Sequence, residues 1–257
     1  MLRGKTILVT GSSQGIGFAV AREMAAAGAD VIVTSECPAN EVPPIPGSTL
    51  YVQADLTREG EADRLVGEAW AWCGGLDVVV NNVGTFREPA FLDLTRAHFE
   101  FVFGLNVWSA VAVTQAFVQR ACAAGRGGRI LFSSSLNATR SEPGHTLYDA
   151  SKGAVNALTR QLAVELAPLG FTTAAVAPGL VETPLTDMGL RSDPAAREAI
   201  LDQIPVGRIA TVDDIAGWYV FLASDAARYA TGIVIPVCGG LDAQQMPTRP
   251  VTAAERK

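Results

Sequence analysis

"TGSSQGIG", residues 10–17, lies between the apolar run KTILVT and the alanine-rich segment GIGFAVAREMAAAG. Its three glycines let a backbone turn tightly after a strand and approach a pyrophosphate, whose charge then sits at the amino end of the following helix. Their spacing is G-x-x-x-G-x-G, which differs from the usual G-x-G-x-x-G of dinucleotide-binding turns. Because the turn follows an apolar strand and opens a helix, it still predicts a dinucleotide-binding α/β fold.

The rest of the chain repeats this order of strand and helix. Seven short β-branched runs are predicted strands: KTILVT, DVIVTS, TLYVQAD, LDVVVNN, GRILFSS, TTAAVAPG and GIVIPVCGG. They are almost entirely apolar, as is typical of strands buried on both faces of a parallel sheet. The segments between them have helical spacing of apolar residues. The sequence therefore predicts a single Rossmann-like, doubly wound parallel sheet of about seven strands with helices on both faces.

No shift in composition and no internal repeat marks a domain boundary, so residues 1–257 are predicted to form one dinucleotide-binding catalytic domain. Residues 180–205 follow the end of a predicted strand. Ligands of open parallel sheets bind beyond the carboxyl ends of the strands, so this segment is predicted to be a substrate lid. The polar tail 243–257 is predicted to be mobile or to pack on a neighbouring subunit.

Composition limits the partners and the location. A formal charge of −6 without a Lys/Arg-rich run argues against nucleic acid or an anionic membrane, and favours a small-molecule substrate. No apolar run approaches the roughly 20 residues that span a bilayer, and the N-terminus turns glycine-rich too early for a signal peptide. We therefore expect a cytoplasmic protein. Its scattered cysteines predict free thiols and no metal site: Cys37, Cys73, Cys122 and Cys238.

Tyr148 and Lys152 stand four residues apart in YDASK, which places them on one face of a helix. Tyrosine has an ordinary pKa near 10 and is a poor base at pH 7. An ammonium about 5 Å away, at an effective dielectric near 20, favours the phenolate by about 3 kcal/mol, or about two pKa units. The pair thus predicts a phenol that exchanges a proton with an alcohol near neutral pH.

Taken together, the motifs resemble those of the short-chain dehydrogenase/reductase family. The matching landmarks follow the family's order over about residues 4–242: TGSSQGIG, DL at 55–56, NNVG at 81–84, LNV at 105–107, SSS at 133–135, YDASK at 148–152, PG at 178–179 with Thr183, and GG at 239–240. Three positions depart from the family pattern. Val83 replaces its alanine, Ala177 its asparagine and Cys238 its aspartate.

The resemblance implies four catalytic residues: Asn106, Ser135, Tyr148 and Lys152. In the family's mechanism, the tyrosine takes the alcohol proton while the substrate carbon passes hydride to the nicotinamide, and reduction is the reverse. The serine, thirteen residues before Tyr148, fixes the substrate oxygen. The asparagine holds a water behind Lys152, which also holds the nicotinamide ribose.

The resemblance also implies the cofactor contacts. The glycine turn holds the pyrophosphate, and the later segments contact the adenine, the ribose and the nicotinamide carboxamide. The implied residues are Gly11, Ser13, Gln14, Gly15, Ile16, Gly17, Ser35, Glu36, Asp55, Leu56, Asn82, Gly84, Tyr148, Lys152, Pro178, Gly179, Val181 and Thr183.

The end of the second strand bears on the choice between NAD and NADP. NAD-preferring members of the family usually have aspartate where this chain has Ser35, and NADP-preferring ones often have arginine where it has Glu36. Because NADP users also commonly have a basic residue at the position of Gln14, electrostatics favour NAD. The small Ser35 keeps NADP open.

Three functions remain open from the sequence. A dehydrogenase of a sugar or other polyol is favoured, and a 3-oxoacyl carrier-protein reductase using NADPH would need the same four residues. A dinucleotide-binding sensor without catalysis would be expected to lack part of that set. The resemblance further implies a homotetramer or homodimer assembled through the two long helices beside the site.

Overall fold

The computed structural model describes residues 1–186 and 194–245, and its centre is a seven-stranded sheet. The order is β3-β2-β1-β4-β5-β6-β7, and every pair of neighbours is parallel. This confirms the predicted fold and all seven predicted strands. Their bounds are β1 Thr6–Val9, β2 Asp30–Ser35, β3 Thr49–Gln53, β4 Val78–Asn81, β5 Gly128–Ser133, β6 Phe171–Pro178 and β7 Ile233–Val237.

Helices cover both faces of the sheet. They are α1 Gly15–Ala26, α2 Glu61–Cys73, α3 Arg96–Phe103, α4 Ser109–Ala123, α5 Thr146–Leu166, α6 Pro194–Leu201 and α7 Val212–Ala223. Successive side chains of a strand point to opposite faces. In β1, Ile7 and Val9 accordingly join the core under α1 and α7, whereas Leu8 joins the core under α2, α4 and α5. The central strands β1 and β4 are buried at every residue, which accounts for their largely apolar sequences.

The chain leaves β1 and β4 in opposite directions across the sheet. After β1 it returns through α1 to β2, and after β4 it returns through α4 to β5. The loops that follow these two adjacent strands therefore separate and leave a crevice at their carboxyl ends. In an open α/β sheet this crevice is where a ligand binds.

The helical segment between β4 and β5 is interrupted. A π-helical turn, Gly104–Trp108, lies between α3 and α4. Such turns insert one extra residue into a helix and are frequent at functional sites. Here the turn carries Asn106, which is only 2% exposed.

The length of the helical stretch from α3 to α4 differs from our expectation that no apolar segment is long enough to span a bilayer. Within the described residues, Arg96–Ala123 is one helical stretch that is long and apolar enough to cross a membrane by length and composition. We expected no apolar run of that length. Of its most apolar window, 44% is buried in this fold, and α4 contributes Val113 and Phe117 to the core, as core helices do.

Two predicted segments are only partly visible. Of the predicted lid, residues 187–193 lie outside the described residues, while Val181 pairs with Ala210 and α6 follows. Of the predicted tail, residues 246–257 lie outside them. The lid, the tail and the single-domain organisation stay predictions.

Candidate active site

The glycine turn is built for close approach of a ligand to the backbone. Gly11 and Gly15 have φ of +60° and +57°, a left-handed conformation that side chains disfavour. A Cβ on Gly17 would lie 2.2 Å from the carbonyl oxygen of Gly11. No side chain caps the amino end of α1, because Gln14 at that position makes no capping hydrogen bond. The first-turn amides and the helix dipole are thus available to an anion.

A cavity of about 500 Å³ extends from this turn to Tyr148 and Lys152. It is lined by sixteen of the residues predicted to bind a cofactor: Gly11, Ser13, Gln14, Gly15, Ile16, Gly17, Ser35, Glu36, Asp55, Leu56, Asn82, Gly84, Tyr148, Lys152, Pro178 and Thr183. Four predicted site residues are not part of its wall: Asn106, Ser135, Gly179 and Val181. Gly179 packs against Cys238 instead, and Val181 is buried.

The cavity has further lining residues that sequence reasoning did not single out. They are Thr34, Ala54, Thr57, Val83, Thr85, Phe101, Leu105, Ser133, Ser134, Pro184 and Leu185. Most are apolar or small, and no residue type marks them as ligand contacts. Their positions were the available signal, since Thr34 precedes Ser35 in a predicted strand and Val83, Leu105, Ser133 and Ser134 lie within quoted motifs.

The end of β2 holds Glu36 at the cavity wall. The Ser35 hydroxyl accepts the Cys37 N–H at 3.1 Å and donates to Glu36 Oε2 at 3.4 Å. The Tyr51 hydroxyl donates to the carbonyl oxygens of Ser35 and Cys37, and Gln53 donates to that of Glu36 at 2.8 Å. Side chains of β3 therefore fix the backbone from which the Glu36 carboxylate projects.

Asn82 and Ser133 tie together the ends of three strands. Asn82 Nδ2 donates to the carbonyl oxygens of Thr10 and Gly11 at 3.1 and 3.0 Å, which holds the glycine turn against β4. Ser133 Oγ donates to Asn82 Oδ1 at 3.0 Å and shares a hydrogen bond of 2.6 Å with the hydroxyl of Tyr219. Ser133 was missed from sequence because its neighbour Ser135 fits the family's spacing.

Lys152 lies at the inner end of the cavity. The side chain is buried, and Nζ donates to the carbonyl oxygen of Ser133 at 2.8 Å and lies 5.6 Å from the ring centroid of Tyr148. Burial disfavours the ammonium and lowers the pKa of Lys152 to about 8. Tyr148 and Lys152 thus share one face of α5, as their spacing predicts.

The pKa of Tyr148 moves in the opposite direction from our prediction. Burial, which disfavours the phenolate, raises it, and nearby Asp149 and Glu142 raise it further. A hydrogen bond with the Ser135 hydroxyl lowers it but does not compensate. The prediction considered only the ammonium of Lys152, whereas desolvation dominates in the folded protein.

Ser135 is positioned at the start of a short helical turn, Leu136–Ala138. Its hydroxyl accepts the N–H of Asn137 at 3.1 Å and donates to Asn137 Oδ1 at 3.3 Å. Asn137 Nδ2 in turn donates to Asp149 Oδ1 at 2.9 Å. The serine is therefore held toward the first turn of α5, beside Tyr148.

Asn106 has its amide fully engaged. Oδ1 accepts the N–H of Thr85 at 2.7 Å, and Nδ2 donates to Thr85 O at 2.8 Å and to Ser151 Oγ at 2.9 Å. A Cβ on Gly84 would lie 3.1 Å from Asn106 Oδ1 and 3.6 Å from Lys152 Nζ, so a glycine keeps space open between them. The predicted water behind Lys152 stays a prediction.

No metal centre accompanies these groups. Within residues 1–186 and 194–245, no three His, Cys, Asp or Glu side chains are grouped as metal ligands, and all four cysteines are free.

The chain is similar to known proteins over most of its length. The family model that matches residues 11–242 is described as enoyl-(acyl carrier protein) reductase. An L-rhamnose 1-dehydrogenase (NAD(P)(+)) from Azotobacter vinelandii is 37% identical over 251 residues, covering 94% of this chain and 98% of the relative. A 3-oxoacyl-[acyl-carrier-protein] reductase from Aquifex aeolicus is 34% identical over 247 residues, covering 93% and 98%.

A solved structure from Beutenbergia cavernae matches the fold closely. Its TM-score is 0.87 at 37% sequence identity, with 95% of this chain and 98% of that chain covered. It is described, provisionally, as an NAD(P)-dependent gluconate 5-dehydrogenase with NADP bound at low occupancy.

Proposed function

Because this chain belongs to the short-chain dehydrogenase/reductase family, and is thereby an NAD(P)-dependent oxidoreductase acting on CH–OH groups, we propose that it interconverts a secondary alcohol and a ketone of a sugar or other polyol. The observation that carries this proposal is the placement of Tyr148 and Lys152 at the inner end of the cavity that begins at the glycine turn. The rhamnose and gluconate dehydrogenases named above support the class of alcohol.

The residues present fit a nicotinamide dinucleotide. The uncapped amino end of α1 suits its pyrophosphate, and the cavity volume falls within the range of small-molecule sites. The glycines of the turn also keep its backbone open to a ligand, since Gly11 and Gly15 have left-handed φ and both line the cavity. When bound, the cofactor supplies the hydride acceptor or donor.

Tyr148 then handles the proton. In reduction, its Oη–H donates a proton to the carbonyl oxygen as hydride reaches the carbonyl carbon, which yields the alcohol. In oxidation, the phenolate takes that proton back. Ser135 Oγ orients the substrate oxygen, and Lys152 Nζ binds the ribose hydroxyls and places positive charge beside the phenol.

Turnover of a panel of aldoses, aldonates and polyols, followed by nicotinamide absorbance with each cofactor, tests the proposal. Oxidation of a secondary alcohol supports it. Binding of neither NADH nor NADPH would overturn it entirely.

We propose NAD as the favoured cofactor because Glu36 projects toward the cavity without a cation from the glycine turn to oppose it. A carboxylate there repels a 2′-phosphate. We expect a Glu36→Gln variant to lower the ratio of the NADPH to the NADH dissociation constant about tenfold, which corresponds to about 1.4 kcal/mol. Side-by-side fluorescence titrations of both reduced cofactors at fixed ionic strength measure this ratio.

Glu41→Gln is the matched control, since Glu41 is exposed on the nearby turn Ala39–Glu41 and is not part of the cavity wall. It should leave the ratio unchanged. An unchanged ratio in Glu36→Gln as well, or tighter NADPH binding by the unaltered protein, would contradict the preference for NAD and favour NADP.

A carrier-protein reductase using NADPH is the second candidate. The relative from Aquifex aeolicus and the description of the family model favour it. The acidic carrier would need a basic docking patch, yet the three arginines that cluster in sequence are each paired: Arg120 with Asp63 at 2.7 Å, Arg126 with Asp77 at 2.9 Å and Arg129 with Asp225 at 3.3 Å. A non-catalytic sensor is third, and the complete catalytic set argues against it.

We also propose a homotetramer or homodimer. Trp108, the last residue of the π-helical turn, is 63% exposed and Val164 on α5 is 76% exposed, so both helical segments offer an apolar side chain to a partner subunit. Sedimentation is expected to give two or four subunits of 26.9 kDa. Trp108→Lys should shift the distribution toward monomers, unlike Trp72→Lys on α2, and a monomeric wild type would contradict the proposal. A cytoplasmic location stays a prediction.

A further inference from the structure

The catalytic helix α5 lacks a cap of its own. His145 occupies the position before its first residue and makes no capping hydrogen bond. The acidic residue of the first turn, Asp149, is used elsewhere, since its carboxylate accepts from Asn137 at 2.9 Å and from the Glu142 N–H at 3.3 Å. The first amides of α5 therefore need an acceptor from another part of the chain.

Glu88, in the loop after β4, supplies that acceptor. Its Oε2 accepts the N–H of Leu147 at 2.8 Å, and its Oε1 lies 3.4 Å from the N–H of Tyr148. Glu88 precedes Leu147 by 59 residues in the sequence. A carboxylate at the amino end of a helix is stabilised both by these hydrogen bonds and by the helix dipole.

The same loop is anchored to Asn106 at its other end. Thr85 exchanges two hydrogen bonds with the Asn106 amide, and the Thr85 hydroxyl accepts the N–H of Arg87 at 3.2 Å. Between the two anchors, the Phe86 ring packs edge-on against Tyr148 with centroids 6.1 Å apart. Residues 85–88, which we call the bracing segment, thus connect Asn106 to the start of α5.

Both the backbone N–H and the backbone carbonyl oxygen of Tyr148 are consequently hydrogen-bonded to side chains. Glu88 accepts its N–H, while its carbonyl oxygen accepts the Ser151 hydroxyl at 2.7 Å, and Ser151 itself accepts from Asn106. No atom of Glu88 needs to reach the substrate for this arrangement to matter. A displacement of about 1 Å at the reacting group can cost a hundredfold in rate.

We propose that Glu88 is a positioning residue, which fixes the backbone of Tyr148 so that the phenol meets the substrate oxygen. The inference rests on the proposed function, since it assumes that Tyr148 transfers the proton. It assigns to the bracing segment a role that the glycine, serine and tyrosine motifs do not include.

Steady-state kinetics of Glu88→Ala and Glu88→Gln test it. We expect Glu88→Ala to lower kcat at least tenfold. Its NADH dissociation constant should stay within twofold of wild type, and the apparent pKa of its pH–rate profile within about 0.3 units. Glu88→Gln keeps one oxygen acceptor and should recover part of kcat. Glu68→Ala, which removes an exposed carboxylate paired with Arg64 on α2, is the matched control and should behave as wild type.

Hydrogen exchange of the first amides of α5 provides a readout that does not depend on turnover. Faster exchange at Leu147 and Tyr148 in Glu88→Ala, but not in Glu68→Ala, is expected. Unchanged exchange together with unchanged kcat would overturn the inference while leaving the proposed function intact. Loss of NADH binding along with kcat would also overturn it, because the glutamate would then support the fold generally. Absence of turnover in the wild-type protein would contradict the proposed function. Hydrogen exchange at Leu147 and Tyr148 would still decide whether Glu88 stabilises the first turn of α5.

Discussion

A Tyr148→Phe variant is expected to lose turnover by at least about a thousandfold and to bind NADH as tightly as the wild-type protein. The substitution removes one hydroxyl and keeps the ring, which packs edge-on against Phe86 and His145. The groups around the glycine turn are untouched. Single-turnover kinetics and a fluorescence titration with NADH, made on the same preparation, separate the two effects.

The size of the loss follows from the chemistry assigned to the phenol. The proposed function assigns the proton transfer to Oη, and general acid–base catalysis contributes about a hundredfold to ten-thousandfold. Because burial raises the pKa of Tyr148, the phenol of the ligand-free protein carries its proton at pH 7. Wild-type oxidation is therefore expected to accelerate as the pH rises from 7 toward 8, where Lys152 still carries its charge, and this acceleration should vanish in the variant.

Tyr229→Phe is the matched control, since Tyr229 is 99% exposed and far along the chain from the site. It should retain full turnover. If Tyr148→Phe kept more than a tenth of the wild-type rate, proton transfer would have to be assigned to another group.

The fold could be predicted from the sequence because its signal is local and repeated. A strand buried on both faces is largely apolar, as VVVN of β4 is, and similar apolar runs recur in seven strands with helical segments between them. The π-helical turn at Gly104–Trp108 could not be predicted in this way. It preserves helical spacing on either side, and the three hydrogen bonds of Asn106 within it involve residues distant in sequence.

The candidate site could be predicted where motif spacing carries the information. The glycine turn follows β1 whereas Tyr148 and Lys152 follow β5, so only the parallel sheet brings them to one cavity, but each is marked by its own local pattern. Glu88 and Ser133 have no such mark, since one acts across nearly sixty residues and the other through its backbone carbonyl oxygen. The direction in which the pKa of Tyr148 shifts could not be predicted from the sequence either, because burial of the ring depends on the residues packed around it.

The second large effect concerns Lys152, whose removal should abolish activity and stabilise the ligand-free protein. Methionine matches the unbranched side chain and suits a buried site. Burial lowers the pKa of Lys152 from 10.5 to about 8. Keeping the ammonium buried at pH 7 therefore lowers the free energy of unfolding of the wild-type protein by about 3 kcal/mol. The hydrogen bond to Ser133 O offsets about 1 kcal/mol. Lys152→Met should therefore unfold at pH 7 with a free energy about 2 kcal/mol higher than wild type.

The stability difference between Lys152→Met and the wild-type protein should depend on pH. Between pH 8 and 10.5 the unfolded wild-type chain holds the Lys152 proton while the folded chain releases it, so wild-type stability gains with rising pH across this window. The methionine variant lacks that gain. Its advantage should be full below pH 8, shrink through the window and reverse near pH 10.5, where only the lost hydrogen bond to Ser133 remains.

Urea unfolding of both proteins without cofactor, at pH 7 and at intervals up to pH 10.5, measures the difference. Lys5→Met is the matched control, because Lys5 pairs with the exposed Asp225 at 3.2 Å and should show no such crossover. Turnover of Lys152→Met should fall at least about a hundredfold, since the charge beside the phenol is removed. A variant less stable than wild type at pH 7 would mean that the ammonium is solvated in the free protein. A cavity that keeps a desolvated lysine at the expense of stability is one arranged for the charge that the reaction needs.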